Sequence, residues 1–166
     1  GEKNYKKFIK KTNITQNPKI ELEEVGVPHK LKWNKCKLET ISFGHGITTT
    51  PLQATALYAA MVNGGKIVIP SLIKERKTQN LKSIISVDTS NKLRNILRKV
   101  VSSKDGTASL ADKDGYYVGG KTGTAESYGD TKNRINTFIS VFPSHKPNYT
   151  LFVMLENPKI NKDLIY

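Results

Sequence analysis

Hydrophobic positions along this chain are sparse over the first forty residues, helical in spacing through the middle, and strand-like toward the end. Tyr5, Phe8 and Ile9 lie three and four apart, which suits the apolar side of a short helix. From there to about residue 40, through Pro18, Pro28 and Trp33, the pattern predicts loop with brief extended pieces. The signal sharpens at Thr50, whose hydroxyl can cap a helix. Pro51 fits the first helical position and Gln53 completes a capping box. Leu52, Ala54, Ala56, Leu57, Ala59, Ala60, Met61 and Val62 cover most of the circumference, so this helix should be buried on several sides. Gly64-Gly65 supplies its stop.

Ile67 to Ile73 reads as extended, interrupted by Pro70. A second strong helix is expected from about Asp88 or Thr89. There Leu93, Ile96, Leu97, Val100 and Val101 form one apolar stripe, with Arg94, Arg98 and Lys99 facing away. Strands are expected at Tyr116–Val118, Lys121–Ser127, Asn136–Phe142 and Tyr149–Glu156, where β-branched and aromatic residues concentrate. Pro143 and Pro147-Asn148 mark the bend between the last two. Short loops between consecutive strands favour antiparallel pairing. The expected fold class is therefore α+β: helices first, then an antiparallel sheet packed by them.

A formal net charge of +13 would suit nucleic acid or an anionic surface. The lysines are scattered, however, with their densest group (Lys3, Lys6, Lys7, Lys10 and Lys11) at the N-terminal fringe. Only Arg76, Arg94, Arg98 and Arg134 offer the planar fork that reads phosphates and bases bidentately. A solvated lysine surface, with no nucleic-acid partner, is the expectation. The single cysteine, Cys36, excludes an internal disulfide and is expected to be a buried, unreactive thiol. His29, His45 and His145 are far apart with no carboxylate at ligand spacing, so neither a metal nor another cofactor is implied. His45, between two glycines, is read as a solvated loop residue. No apolar run approaches the roughly 20 residues that span a bilayer.

The stretch GGKTGTAE, Gly119 to Glu126, resembles the K-T-G motif of penicillin-binding proteins and serine β-lactamases. Its surroundings strengthen the resemblance. Ile41 to Ile73 carries a glycine-rich loop, a T-P-L-Q helix start and an N-G-G stop. Ser102 to Glu126 carries a G-T-x-x-A helix end leading into K-T-G. Ile135 to Lys159 is similar to the hairpin that follows. These elements stand in the order found in class B penicillin-binding proteins, and the division-specific D,D-transpeptidases look most similar.

The resemblance implies a partial transpeptidase (β-lactamase-like) fold, with residues 1–166 forming the C-terminal part of a single transpeptidase domain. It implies serine acyl transfer that cross-links peptidoglycan stem peptides ending in D-Ala-D-Ala, with β-lactams as further ligands. The setting would be the periplasmic face of the bacterial inner membrane, with divisome membrane proteins as partners. In the site, Lys121 would act as a catalytic cation and Thr122 would donate its hydroxyl to the substrate carboxylate. Gly123 would let ligand backbone lie against the strand. Thr124 would give its N–H to the oxyanion and its hydroxyl to the carboxylate.

The family's other two motifs, S-x-x-K and S-x-N, are expected upstream of residue 1. The chain's S-x-x-K at Ser71 to Lys74 is rejected, because its place corresponds to a strand after the central helix. A chain without the nucleophile-bearing helices and the C-terminal helix should be inactive alone and expose apolar surface, inviting self-association. Two other readings stay open: a serine β-lactamase or penicillin-sensing domain, which shares K-T-G, and a non-enzymatic basic binding module.

Overall fold

The computed structural model describes residues 1–74, 82–127 and 130–159. Four helices precede the sheet: α1 (Glu2–Thr12), α2 (Lys37–Ser42), α3 (Pro51–Val62) and α4 (Val87–Ser102). A 3₁₀ turn at Ser109–Ala111 leads to β1 (Gly119–Ser127), β2 (Asp130–Phe142) and β3 (Tyr149–Glu156), which form one antiparallel sheet in that order. The α+β architecture is the one the sequence predicts.

The capping box forms as expected. Thr50 accepts from the Gln53 N–H at 3.2 Å, and the Gln53 side chain accepts from the Thr50 N–H at 3.3 Å. The same Gln53 amide donates to the carbonyls of Asn13 and Gln16, tying the segment after α1 to the start of α3. Around α3, Ala54, Ala60 and Val62 are buried and nearly all other positions are half-buried, consistent with apolar residues on every side. Val62, Leu97 and Val141 bring α3, α4 and β2 into one core cluster, with Tyr58 packed against it.

Several boundaries differ from the sequence reading. The loop expected through residue 40 contains most of α2, a helix of only six residues with no side-chain cap. Cys36 stands before it in the left-handed region (φ 64°) and is exposed, not buried. Ser86 caps α4, so that helix starts at Val87, ahead of the expected Asp88. Among the described residues, Ile67 to Ile73 forms no strand, and a single bridge, Lys66 to Ser83, pairs beside it. Tyr116–Val118 forms no strand: Tyr116 closes a turn with Lys113, Tyr117 takes φ 51°, and β1 begins at Gly119 instead. β2 starts at Asp130, six residues before the predicted Asn136. No helix among the described residues is long and apolar enough to cross a membrane.

Candidate active site

β1 pairs with β2 on one side only, so it is an edge strand among the described residues. Two hydrogen bonds establish which of its main-chain groups are open. The Arg134 and Phe142 carbonyls accept from the N–H groups of Asn157 and Asn148, on the β3 side of β2. The N–H and C=O of one strand residue point to the same side, and that side alternates along the chain. The odd residues of β2 therefore face β1. Their partners Gly119, Lys121, Gly123 and Ala125 direct their own amides inward. Thr122 and Thr124 consequently present N–H and C=O to the open edge, and no bulge interrupts this phase before Glu126.

Side chains follow the same alternation. Lys121 and Gly123 share a sheet face with Ile139 and Thr137, while Thr122 and Thr124 share the opposite face with Phe138 and Asn136. The exposed Lys121 curls along the strand. Its ammonium donates to the Thr122 carbonyl at 2.7 Å and lies 3.5 Å from Thr122 Oγ1. One cation, two threonines and two outward-facing main-chain pairs thus sit within four consecutive residues, the Thr122 carbonyl already taken by the Lys121 ammonium.

Two glycines of this strand stand where a Cβ would crowd a neighbour. A Cβ on Gly120 would lie 2.7 Å from both the Ile139 carbonyl oxygen and the Phe138 ring. A Cβ on Gly123 would meet Thr137 Oγ1 at 2.6 Å. The strand is fixed at its start by α4. Arg98 donates to the Val118 carbonyl at 2.7 Å while gripping Asp112 Oδ1 at 2.7 Å and Oδ2 at 3.2 Å. That guanidinium, first by its hydrogen bond and then by its charge, holds the Asp112 carboxyl below its ordinary value.

One residue at this edge escaped the sequence reading. Thr107 Oγ1 stands 3.1 Å from Thr122 Oγ1, although 15 positions separate them in sequence. The G-T-x-x-A pattern flagged the segment but not the contact. Residues considered elsewhere lie apart from β1. The exposed His45 stacks on Phe43, with ring centroids 6.3 Å apart. Ser71 donates to Glu21 Oε1 at 2.8 Å in an irregular segment. A cavity of about 280 Å³ beneath α3, walled by Leu52, Ala56, Leu57, Ile67 and Pro70 among others, shares no residue with β1. Among the described residues, no group of three metal-ligating side chains is assembled.

Comparison with known proteins gives the family. Residues 1–165 match the family described as penicillin binding protein transpeptidase domain. The chain is 35% identical to stage V sporulation protein D of Bacillus subtilis, over 96% of this chain and 27% of that protein. It is 30% identical to the probable peptidoglycan D,D-transpeptidase FtsI of Caulobacter vibrioides, over 97% of this chain and 30% of that protein. In fold it is similar to the transpeptidase domain of Burkholderia pseudomallei penicillin-binding protein 3, with a TM-score of 0.84, 24% identity and coverage of 94% and 50%. Mycobacterium tuberculosis penicillin-binding protein 3 superposes with a TM-score of 0.83 at 26% identity, covering 95% and 41%. The chain therefore spans under a third of those two sequence relatives and at most half of the two solved chains. A match over residues 1–165 makes this chain a member of the penicillin binding protein transpeptidase domain family.

Proposed function

We propose that residues 1–166 are the C-terminal part of one class B transpeptidase domain and that β1 forms a wall of its acyl-transfer site. The observation that carries this reading is the open edge at Thr122 and Thr124, flanked by the Lys121 ammonium and bordered by a residue without a side chain, Gly123. An extended peptide can add to such an edge as a further strand, its amides pairing with those of the two threonines.

In the proposed reaction a serine hydroxyl attacks the carbonyl of the penultimate D-alanine. The ester forms, the amide bond to the last D-alanine breaks, and the departing amine takes the serine's proton. An amine from a second stem then attacks the ester, forms the cross-linking amide and returns the proton to the serine. Within this scheme the Thr124 N–H stabilises the developing oxyanion. The Thr122 and Thr124 hydroxyls bind the terminal carboxylate, and Lys121 lowers the cost of negative charge and assists proton transfer. The serine would come from a part of the domain outside these residues. The work would be done outside the cytoplasm, at the periplasmic face of the inner membrane, in company with other membrane proteins of the division machinery.

The test uses the ¹⁵N-labelled chain titrated with diacetyl-L-lysyl-D-alanyl-D-alanine. The amides of Thr122 and Thr124 should shift most, and Lys121→Ala should weaken the response without altering the rest of the spectrum. Shifts that bypass β1, or none at millimolar ligand, would overturn the reading.

A further inference from the structure

Thr107 is held in place by its neighbours. Gly106, before it, is pressed so tightly on α4 that a Cβ there would collide with the Val100 carbonyl. Ala108, after it, is buried and donates its N–H to that same carbonyl at 3.3 Å. Of the three residues only Thr107 is exposed, and its hydroxyl reaches across to β1 to meet Thr122 Oγ1 at 3.1 Å. The Arg98–Asp112 ion pair and the Arg98 bond to Val118 hold two interior points of the segment that joins the two threonines.

From this geometry we infer that Thr107 is a positioning residue that directs the single proton of Thr122 toward the ligand's carboxylate. The inference rests on the proposed role of β1 and adds a residue to it. A threonine hydroxyl has one proton and two acceptor lone pairs. In the unliganded chain the Thr122 proton is given to Thr107. When a carboxylate arrives, the Thr107 hydroxyl rotates and donates to Thr122 Oγ1 in its turn. The Lys121 ammonium, 3.5 Å away, faces the same oxygen. With both neighbours donating, the Thr122 proton is left to point outward. The reversal moves no heavy atom and breaks no covalent bond. It favours an anion over a neutral amide, because only a strong acceptor draws the proton away from Thr107.

The test compares two probes, diacetyl-L-lysyl-D-alanyl-D-alanine and its C-terminal amide, titrated by NMR into the wild-type chain, Thr107→Val and Thr107→Ser. The wild type should prefer the acid. Thr107→Val should weaken acid binding about two- to tenfold, the fold-change of one hydrogen bond, and leave the amide bound no more weakly than in the wild type. Thr107→Ser, which restores the hydroxyl, should keep the preference and guards against a valine variant that merely misfolds. A loss confined to the acid separates positioning from general loosening of the strand, which would weaken both probes alike. An unchanged acid-to-amide ratio in Thr107→Val overturns the role of Thr107 and leaves the reading of β1 intact. Absence of any binding at β1 in the wild type overturns both.

Discussion

Arg98 and Asp112 are joined by two hydrogen bonds, at 2.7 and 3.2 Å, and the same guanidinium holds the carbonyl that immediately precedes β1. One arginine on α4 thereby sets where the edge strand begins. Removing the carboxylate should release the guanidinium and loosen the first residues of β1.

The acid dependence follows from the lowered Asp112 value. A carboxyl whose folded value lies below its unfolded value, here ordinarily 3.8, adds stability that is complete above the unfolded value and disappears as pH falls through the folded one. Asp112→Asn should therefore melt below the wild type at pH 7, with the gap closing as pH is taken below 4. Circular dichroism melts at both pH values check this, and a gap that persists in acid would assign the effect to packing.

The glycines of β1 should separate stability from binding. Gly120→Ala drives a methyl into the Ile139 carbonyl and the Phe138 ring at once, and the main chain cannot swing away. It should cost about 1–3 kcal/mol in denaturant unfolding. Gly123→Ala meets only the Thr137 hydroxyl, which can rotate, so its stability cost should fall below about 1 kcal/mol. That added methyl nevertheless stands at the open strand, and binding of the D-alanyl peptide should drop more than stability does. Equal losses in both measurements for Gly123→Ala would sink the distinction.

The contrast between what was legible and what was not is a contrast between local and tertiary causes. Thr50, Pro51 and Gln53 specify a helix start through contacts three residues long, so the capping box could be read directly. The α4 stripe and the strand through Lys121–Ser127 were also legible from local pattern. Tyr117 was not, because its propensity suits a strand while the chain needs a left-handed turn there to deliver Ser144 N–H to the Tyr117 carbonyl. The six residues of α2 carry too little periodicity to stand out, and β2 extends through a polar stretch whose strand state comes from pairing with β1. Thr107 is the clearest case. Its pairing with Thr122 depends on Gly106 and Ala108 fitting against Val100, a packing relation invisible to spacing.

The apolar face of β3 leads to a prediction about assembly. Tyr149, Leu151, Val153 and Leu155 point the same way and remain 64%, 50%, 42% and 56% exposed. The strand is also at the sheet's other edge among the described residues. An uncovered apolar face beside unpaired main chain favours association between copies. Sedimentation velocity should show mass rising with concentration, and Leu151→Lys with Val153→Lys should return the chain to monomer. A wild type that stays monomeric at high micromolar concentration would remove the idea.

Ser71 decides whether the chain carries a nucleophile of its own. In an S-x-x-K nucleophile the lysine three residues on, brought close by a helical turn, takes the serine's proton. Here the hydroxyl proton goes to Glu21 Oε1 at 2.8 Å, and the Ile73 N–H occupies Ser71 Oγ at 3.0 Å. Glu21 also accepts from the Leu72 N–H at 3.0 Å through its second oxygen, so the carboxylate braces an irregular segment in which Leu72 and Ile73 are exposed. That arrangement ties the serine down without presenting it to a substrate. Incubation of the chain with a fluorescent penicillin should therefore leave it unlabelled by intact-mass measurement, before and after Ser71→Ala. A penicilloyl adduct that disappears in Ser71→Ala would make this S-x-x-K the reacting one and would place the nucleophile within these residues.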